Sequence, residues 1–287
     1  MIMTILDGKS LSKQIKTELK AKVADLVVKS GIKPGLAIVE VGSDPASEIY
    51  VRNKIKSANF VGIEARLIKK DESITQEELL KLIDELNADV SVHGIIVQLP
   101  LPKHLDERAV IDRIDPDKDI DGFGVLNKGK LFSGMKCFQP ATPLGVMKLL
   151  DAYNIPLKGK EAVVVGRSNI VGKPMGMMLL LRDATVTIAH RYTVDLKKIT
   201  KEADILVVAV GKKNLITADM IKPGAVVVDV GINREGDKIY GDVDFDNVSQ
   251  VASHITPVPG GVGPLTIAAL LANTVEAYEN KIQGIVL

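Results

Sequence analysis

A chain of 287 residues is longer than one compact unit needs and suits two domains. With 46% apolar and 25% charged residues, a formal net charge of +1 and only 3% aromatics, it excludes a nucleic-acid binder that works through bulk positive charge or stacking. Any recognition of charge must be local.

In chain order, Leu11, Ile15, Leu19, Val23 and Leu26 stand three or four apart, which predicts an amphipathic helix over 11–27. A buried strand follows over Leu36–Val41, opened by Pro34-Gly35 and closed by Gly42. Residues 46–61 predict a second helix and 64–69 a strand. Thr75, with Glu78 at the capping-box position, opens a helix over 75–87. The run His93–Leu99 is another strand, stopped by Pro100 and Pro102. Strands and helices alternating at this spacing mean βαβ units on a parallel sheet.

Between 115 and 140 the pattern lapses into turn pairs such as Asp115-Pro116, Asp121-Gly122 and Gln139-Pro140, the best domain boundary in the chain. A helix from about Leu144 to Tyr153 begins a second alternating run, with strands at 162–165, 185–189, 205–210 and 225–230. A charge-free stretch, His254–Val275, carries Pro257, Pro259 and Pro264. It is expected to be a loop leading into a helix over about 265–280, and not a membrane span. Periodicity leaves open which domain that helix packs on. The opening MIMTILDGKS lacks the basic and apolar regions of a secretory signal, and the single Cys137 permits neither an intrachain disulfide nor a cysteine zinc cluster. Both features suit a soluble, cytoplasmic protein.

Ala162–Gly172 is a strand, a glycine turn and a helix start, the arrangement that offers backbone N–H groups and a helix dipole to a pyrophosphate. The match to G-x-G-x-x-G is imperfect: Ser168 holds the second glycine's place, and Gly172 comes one residue late. An ordinary βα turn would read the same. The next strand ends in Ala189-His190-Arg191, with a cation where an NAD site wants a carboxylate for the ribose hydroxyls. Arg191, assisted by Arg167, suits the 2′-phosphate of NADP, although a solvated arginine at a strand end remains the alternative.

Ser47, Tyr50 and Lys54 lie on the second predicted helix, with Tyr50 and Lys54 one turn apart on one face. Taken alone Lys54 is a solvated lysine. Gln98, a polar residue in the apolar run Ile95–Leu101, needs a partner, and strand ends feed active sites in parallel sheets. Asp121 adds a carboxylate on an irregular loop, or is simply a turn-forming Asp-Gly. The four histidines show no ligand spacing and no H-E-x-x-H, so no metal site is expected.

Gln76–Asp89 followed by Ile95–Leu101, and Pro259–Ile267, resemble the two signatures of the bifunctional methylenetetrahydrofolate dehydrogenase/cyclohydrolase family. Tyr50-x-x-x-Lys54, Asp119-x-Asp-Gly-Phe123, Gly166-Arg-Ser-x-x-Val-Gly172 and Val230–Asn233 fall in the family's order. The resemblance covers nearly the whole chain. It implies an α/β protein of two domains: a folate-binding catalytic domain over 1–139, and a Rossmann-type NADP domain over 140–264. The last helix, 265–287, would return to the first domain.

The same resemblance implies NADP-dependent oxidation of 5,10-methylenetetrahydrofolate and hydrolysis of the methenyl product to 10-formyltetrahydrofolate. Lys54 would be the general acid/base, Gln98 its partner, Tyr50 a stacking surface for folate and Asp121 the hold on the pterin. Val97, Leu99 and the loop with Pro259, Gly260 and Gly263 would line the folate cleft. Gly166, Arg167, Ser168 and Ile232 would bind NADP, with Arg191 near its 2′-phosphate, in a homodimer. The sequence departs from the family's common pattern at Gly124-Val125 (often His-Pro), at Ala141 (often Cys) and at Ala189 (often Cys). A shikimate-dehydrogenase-like oxidoreductase and a non-catalytic nucleotide-binding regulator are the competing readings.

Overall fold

The computed structural model describes residues 3–43, 45–236 and 238–285, without the side chains of 45–47, so Ser47's side chain lies outside the described residues. By contact the chain divides into two compact units. One takes Lys13–Ala141 and the chain from Ile267 on; the other takes Thr142–Thr266 with the N-terminal stretch ending at Ser12.

The first elements are β1 (Thr4–Ile5), α1 (Gly8–Ser30), β2 (Gly35–Val41), α2 (Pro45–Val61), β3 (Glu64–Lys70), α3 (Gln76–Ala88) and β4 (Gly94–Val97). Two short helices follow, α4 (Glu107–Arg113) and α5 (Val125–Phe132). The parallel three-stranded sheet has the order β3-β2-β4. Its central strand, Leu-Ala-Ile-Val-Glu-Val, is buried throughout, as a strand covered on both faces must be. The edge strand β3 keeps Arg66, Lys69 and Lys70 instead, charges that blunt an open edge. One sheet face packs Ala37, Val39, Ile95 and Val97 with Leu79, Ile83 and Leu86 of α3 and Val110 of α4. The predicted capping box is present: Thr75 Oγ1 accepts from Glu78 N at 3.2 Å, and Glu78 Oε2 accepts from Thr75 N at 2.9 Å.

The second run is α6 (Ala141–Ala152), β5 (Glu161–Val165), α7 (Gly172–Leu180), β6 (Thr185–Ala189), α8 (Leu196–Thr200), β7 (Ile205–Val208), β8 (Val226–Asp229), β9 (Asn233–Glu235), β10 (Lys238–Tyr240), α9 (Phe245–Val248), β11 (His254–Ile255) and α10 (Val262–Gln283). Its parallel six-stranded sheet has the order β1-β11-β8-β7-β5-β6. β5 carries β6 on one side and β7 on the other, so the winding reverses beside it, the place where such sheets bind ligands. Val163, Val165, Leu206, Val208 and Val227 form the core with Ile216, Ile221 and Val248.

Two placements differ from the sequence reading. The first residues join the six-stranded unit because β1 pairs with β11, Thr4 against His254. The last helix begins at Val262 and not near 265. Gly263 and Pro264, expected to break the chain into a loop, form its first turn, where a proline's missing N–H costs nothing. From Ile267 on, α10 returns to the three-stranded unit as the resemblance implied. There the buried Tyr278 donates its hydroxyl to Ile32 O at 2.6 Å, and Glu279 pairs with Lys22 of α1 at 2.5 Å.

Candidate active site

In the three-stranded unit, β4 ends at Val97 and Gln98 stands just past it, its N–H donating to Val39 O at 2.8 Å. Its amide is oriented by its neighbours. Nε2 donates to Leu99 O at 2.7 Å, leaving Oε1 to accept from Lys54 Nζ at 3.0 Å. Lys54 is half-buried on α2, one turn beyond the half-buried Tyr50. A parallel bridge pairs Ile95 with Asp119, so two residues on the chain carries Asp121 toward the end of β4. Burial pushes the Asp121 carboxyl above the ordinary carboxylate range, and the nearby Lys54 charge opposes that shift. Lys54, Gln98 and Asp121 are therefore brought together. Val97, expected to line the cleft, sends its side chain into the core at 5% exposure, while Leu99 is half-buried.

The loop bearing Asp121 is wound around groups that the sequence reading passed over. Asp119, 2% exposed, accepts from Phe123 N (3.2 Å), Gly124 N (2.8 Å) and Asn127 Nδ2 (2.9 Å). Burial pushes its carboxyl up to about 6. Asn273 of α10 donates Nδ2 to Ile120 O at 2.8 Å and Gln139 O at 2.9 Å, tying both ends of the segment. The Gly124-Val125 departure has a local role: Val125 N donates to Asp112 Oδ1 at 2.9 Å, a bond a proline cannot make.

In the six-stranded unit, Gly166 follows β5 with φ 133°, and a Cβ there would sit 2.3 Å from Ala209 O. A Cβ on Gly172 would fall 2.2 Å from Gly166 O, so the turn closes only with glycine at both places. Ser168 Oγ accepts from Val171 N (3.1 Å) and Gly172 N (3.2 Å), so its hydroxyl holds the turn at the start of α7. Arg167 and Arg191 are exposed, and both guanidinium groups lie over the Tyr192 ring, 5.5 and 4.7 Å from its centre. Ile232 is 43% exposed on the loop after β8.

That loop is held by two buried carboxylates. Asp229 accepts from Gly231 N (2.9 Å), Asp242 N (3.0 Å) and Val243 N (2.9 Å). Asp242 accepts from Val210 N (2.7 Å), Gly211 N (2.9 Å), Lys212 N (2.8 Å) and Asn233 Nδ2 (2.9 Å). The only sequence signal for Asp229 was its place at the end of an apolar strand, and Asp242 had none. In the same unit Pro259 and Gly263 are exposed and Gly260 half-buried, with Gly260 O accepting from Lys9 N at 2.8 Å. Among the described residues no cluster of three or more His, Cys, Asp or Glu side chains is placed to hold a metal.

A family model for the tetrahydrofolate dehydrogenase/cyclohydrolase catalytic domain matches residues 6–121, and one for the NAD(P)-binding domain of the same family matches 140–282. The chain belongs to this family. The Bifunctional protein FolD of Ligilactobacillus salivarius is 55% identical over 285 residues, 99% of this chain and 100% of that one. The crystal structure of the FolD methylenetetrahydrofolate dehydrogenase/cyclohydrolase from Campylobacter jejuni superposes with a TM-score of 0.95 at 54% identity, covering 97% of this chain and 99% of that chain. The Trypanosoma brucei dehydrogenase-cyclohydrolase, solved with NADP cofactor and inhibitor, gives 0.94 at 37% identity over 98% and 99% of the two chains. As a family member this chain is a dehydrogenase/cyclohydrolase. The polar cluster lies in the unit of the catalytic domain, and the glycine turn lies in that of the NAD(P)-binding domain.

Proposed function

We propose that the enzyme oxidises 5,10-methylenetetrahydrofolate to the 5,10-methenyl cation with NADP and hydrolyses that cation to 10-formyltetrahydrofolate. The observation that carries this reading is the Lys54 Nζ–Gln98 Oε1 bond of 3.0 Å beside the half-buried Asp121 carboxyl. Hydride transfer needs alignment more than proton chemistry, and NADP, when bound, supplies the hydride acceptor. The tight turn at Gly166 and Gly172 fits a pyrophosphate. Arg167 and Arg191 fit an added phosphate, since neither meets a carboxylate among the described residues. Ile232 follows β8 at the same C-terminal end of the parallel strands as Gly166 follows β5.

The hydrolytic half is where this chain's own side chains work. Water adds to the methenyl carbon and loses a proton; the bond from that carbon to the pterin nitrogen then breaks, and the nitrogen takes a proton. The new hydroxyl gives up its own to become the formyl C=O, so one proton is released overall. Lys54 moves those protons, and Gln98 Oε1 holds its Nζ in place. Asp121 grips the pterin and Tyr50 stacks on the folate. Leu99, half-buried just past Gln98, lines the substrate on the same unit. A homodimer, carried over from the family resemblance, and a cytoplasmic setting, carried over from the single cysteine and the opening residues, belong to the same reading.

Absorbance of the methenyl product, followed with NADP and with NAD, tests both halves at once. Lys54→Met should slow hydrolysis by about 10²-fold or more while NADP affinity stays nearly intact. Unchanged hydrolysis in that variant would remove Lys54 from the mechanism.

A further inference from the structure

Tyr192 is 64% exposed, yet its position is fixed. The turn after β6 closes through Thr193 N to His190 O at 2.8 Å, and Tyr192 N donates to His190 Nδ1 at 3.2 Å. His190 N in turn donates to Thr193 Oγ1 at 2.8 Å, and the His190 ring meets Tyr192 edge-on, 6.2 Å between centres at 73°. On this anchored ring stand two like charges. Arg191 places its guanidinium carbon 4.7 Å from the ring centre and donates Nη2 to the phenol oxygen at 2.6 Å. Arg167, from the glycine turn after β5, lies 5.5 Å from the same centre.

Two guanidinium groups drawn to one exposed ring repel each other. Neither is neutralised by a carboxylate among the described residues. The ring's negative face offsets part of that repulsion, and an anion beside both cations would offset more. The phenol oxygen accepts from Arg191, which leaves its own proton free to donate.

We propose that Tyr192 is a specificity-determining residue for the cofactor: it holds Arg167 and Arg191 as a pair and presents its hydroxyl as a third donor to the 2′-phosphate. This rests on the reading that Arg191 meets that phosphate. The tyrosine supplies what neither arginine has alone, a rigid platform that removes the rotamer freedom of two long side chains before the ligand arrives.

The test uses the full-length enzyme and two probes, 2′,5′-ADP and 5′-AMP, as competitive inhibitors, together with KM for NADP and for NAD. Tyr192→Leu removes ring and hydroxyl; it should cut the preference for NADP over NAD, and for 2′,5′-ADP over 5′-AMP, about three- to tenfold. Tyr192→Phe keeps the ring and loses only the hydroxyl, so its effect should be smaller and in the same direction. A preference unchanged in Tyr192→Leu overturns the proposal, and so does an equal loss for both members of each pair. Arg191→Ala measured alongside separates the two ways of failing. Preference lost there but kept in Tyr192→Leu sinks the tyrosine's role alone; preference kept in both sinks the phosphate reading as well.

Discussion

Beside each sheet a buried aspartate gathers three donors next to a functional loop, Asp119 in the three-stranded unit and Asp229 in the six-stranded one. Burial pushes both carboxyls up to about 6. The loops they wind differ in what they offer. Around Asp119 the loop presents a second, half-buried carboxylate, Asp121, next to a lysine and an amide. Around Asp229 it presents Ile232 and backbone, and Arg167 and Arg191 of that unit stand exposed on other loops. Proton chemistry needs groups taken partly out of water, where neighbours set their protonation. Reading a phosphate needs only cations aimed outward, whose charge never has to be desolvated in the free protein. The same kind of knot thus supports two different uses.

The largest expected effect comes from untying either knot. Asp119→Ala and Asp229→Ala each strand three donors, at a cost of about 3 kcal/mol in denaturant unfolding. Asp119→Ala should damage folate turnover and spare nucleotide binding, and Asp229→Ala the reverse. If both variants harm both activities alike, the knots serve the fold at large and the comparison fails. The pH dependence has a definite sign. A carboxyl at about 6 when folded, against 3.8 for a freely solvated aspartate, binds its proton more tightly in the native state. The wild type therefore gains stability from it as pH falls from about 7 toward 5. Its lead over either variant should widen across that window.

Arg191→Ala comes next. Charge-assisted bonds to a phosphate are worth about 1.5–3 kcal/mol, so the variant should lose roughly ten- to a hundredfold of its preference for NADP over NAD. The difference should shrink in high salt, because the side chain is exposed. Equal weakening of both cofactors would mean that Arg191 shapes its surroundings without reading the phosphate. Val125→Pro should have the smallest effect. The lost bond to Asp112, about 1 kcal/mol, is offset by a stiffer unfolded chain and by proline's fitness for the first helical position. The net change should stay under about 1 kcal/mol; a larger loss, or reduced folate turnover, would make the Val125 N–H part of the working loop.

Elements long enough to repeat a pattern were legible in the sequence. Leu36–Val41 showed itself by an unbroken apolar run between Pro-Gly and Gly, and α3 by Thr75 and Glu78. The two-residue strands β1 and β11, the β9–β10 hairpin and the short α4 and α5 carry no period to detect. Gln98 and Lys54 were legible because a polar residue ending an apolar run demands a partner, although which lysine would meet it came from the family resemblance. Asp119, Asp242 and Asn273 were not legible. Their partners are backbone groups from distant parts of the chain, and no spacing rule reports a backbone N–H or C=O.

The pairing of Thr4 with His254 has a consequence for how the molecule is made. β1 is synthesised about 250 residues before the strand it joins; at translation speeds of roughly 5–20 residues per second its partner is tens of seconds away. Until then the opening residues have no sheet to enter, and they must stay free of the Lys13–Ala141 unit that forms behind them. A fragment cut to 140–264 meets the complementary problem: β11 becomes the bare margin of the sheet, its outward N–H and C=O groups open to any passing strand. The N-terminal dipeptide strand is a cover as much as an element of the fold.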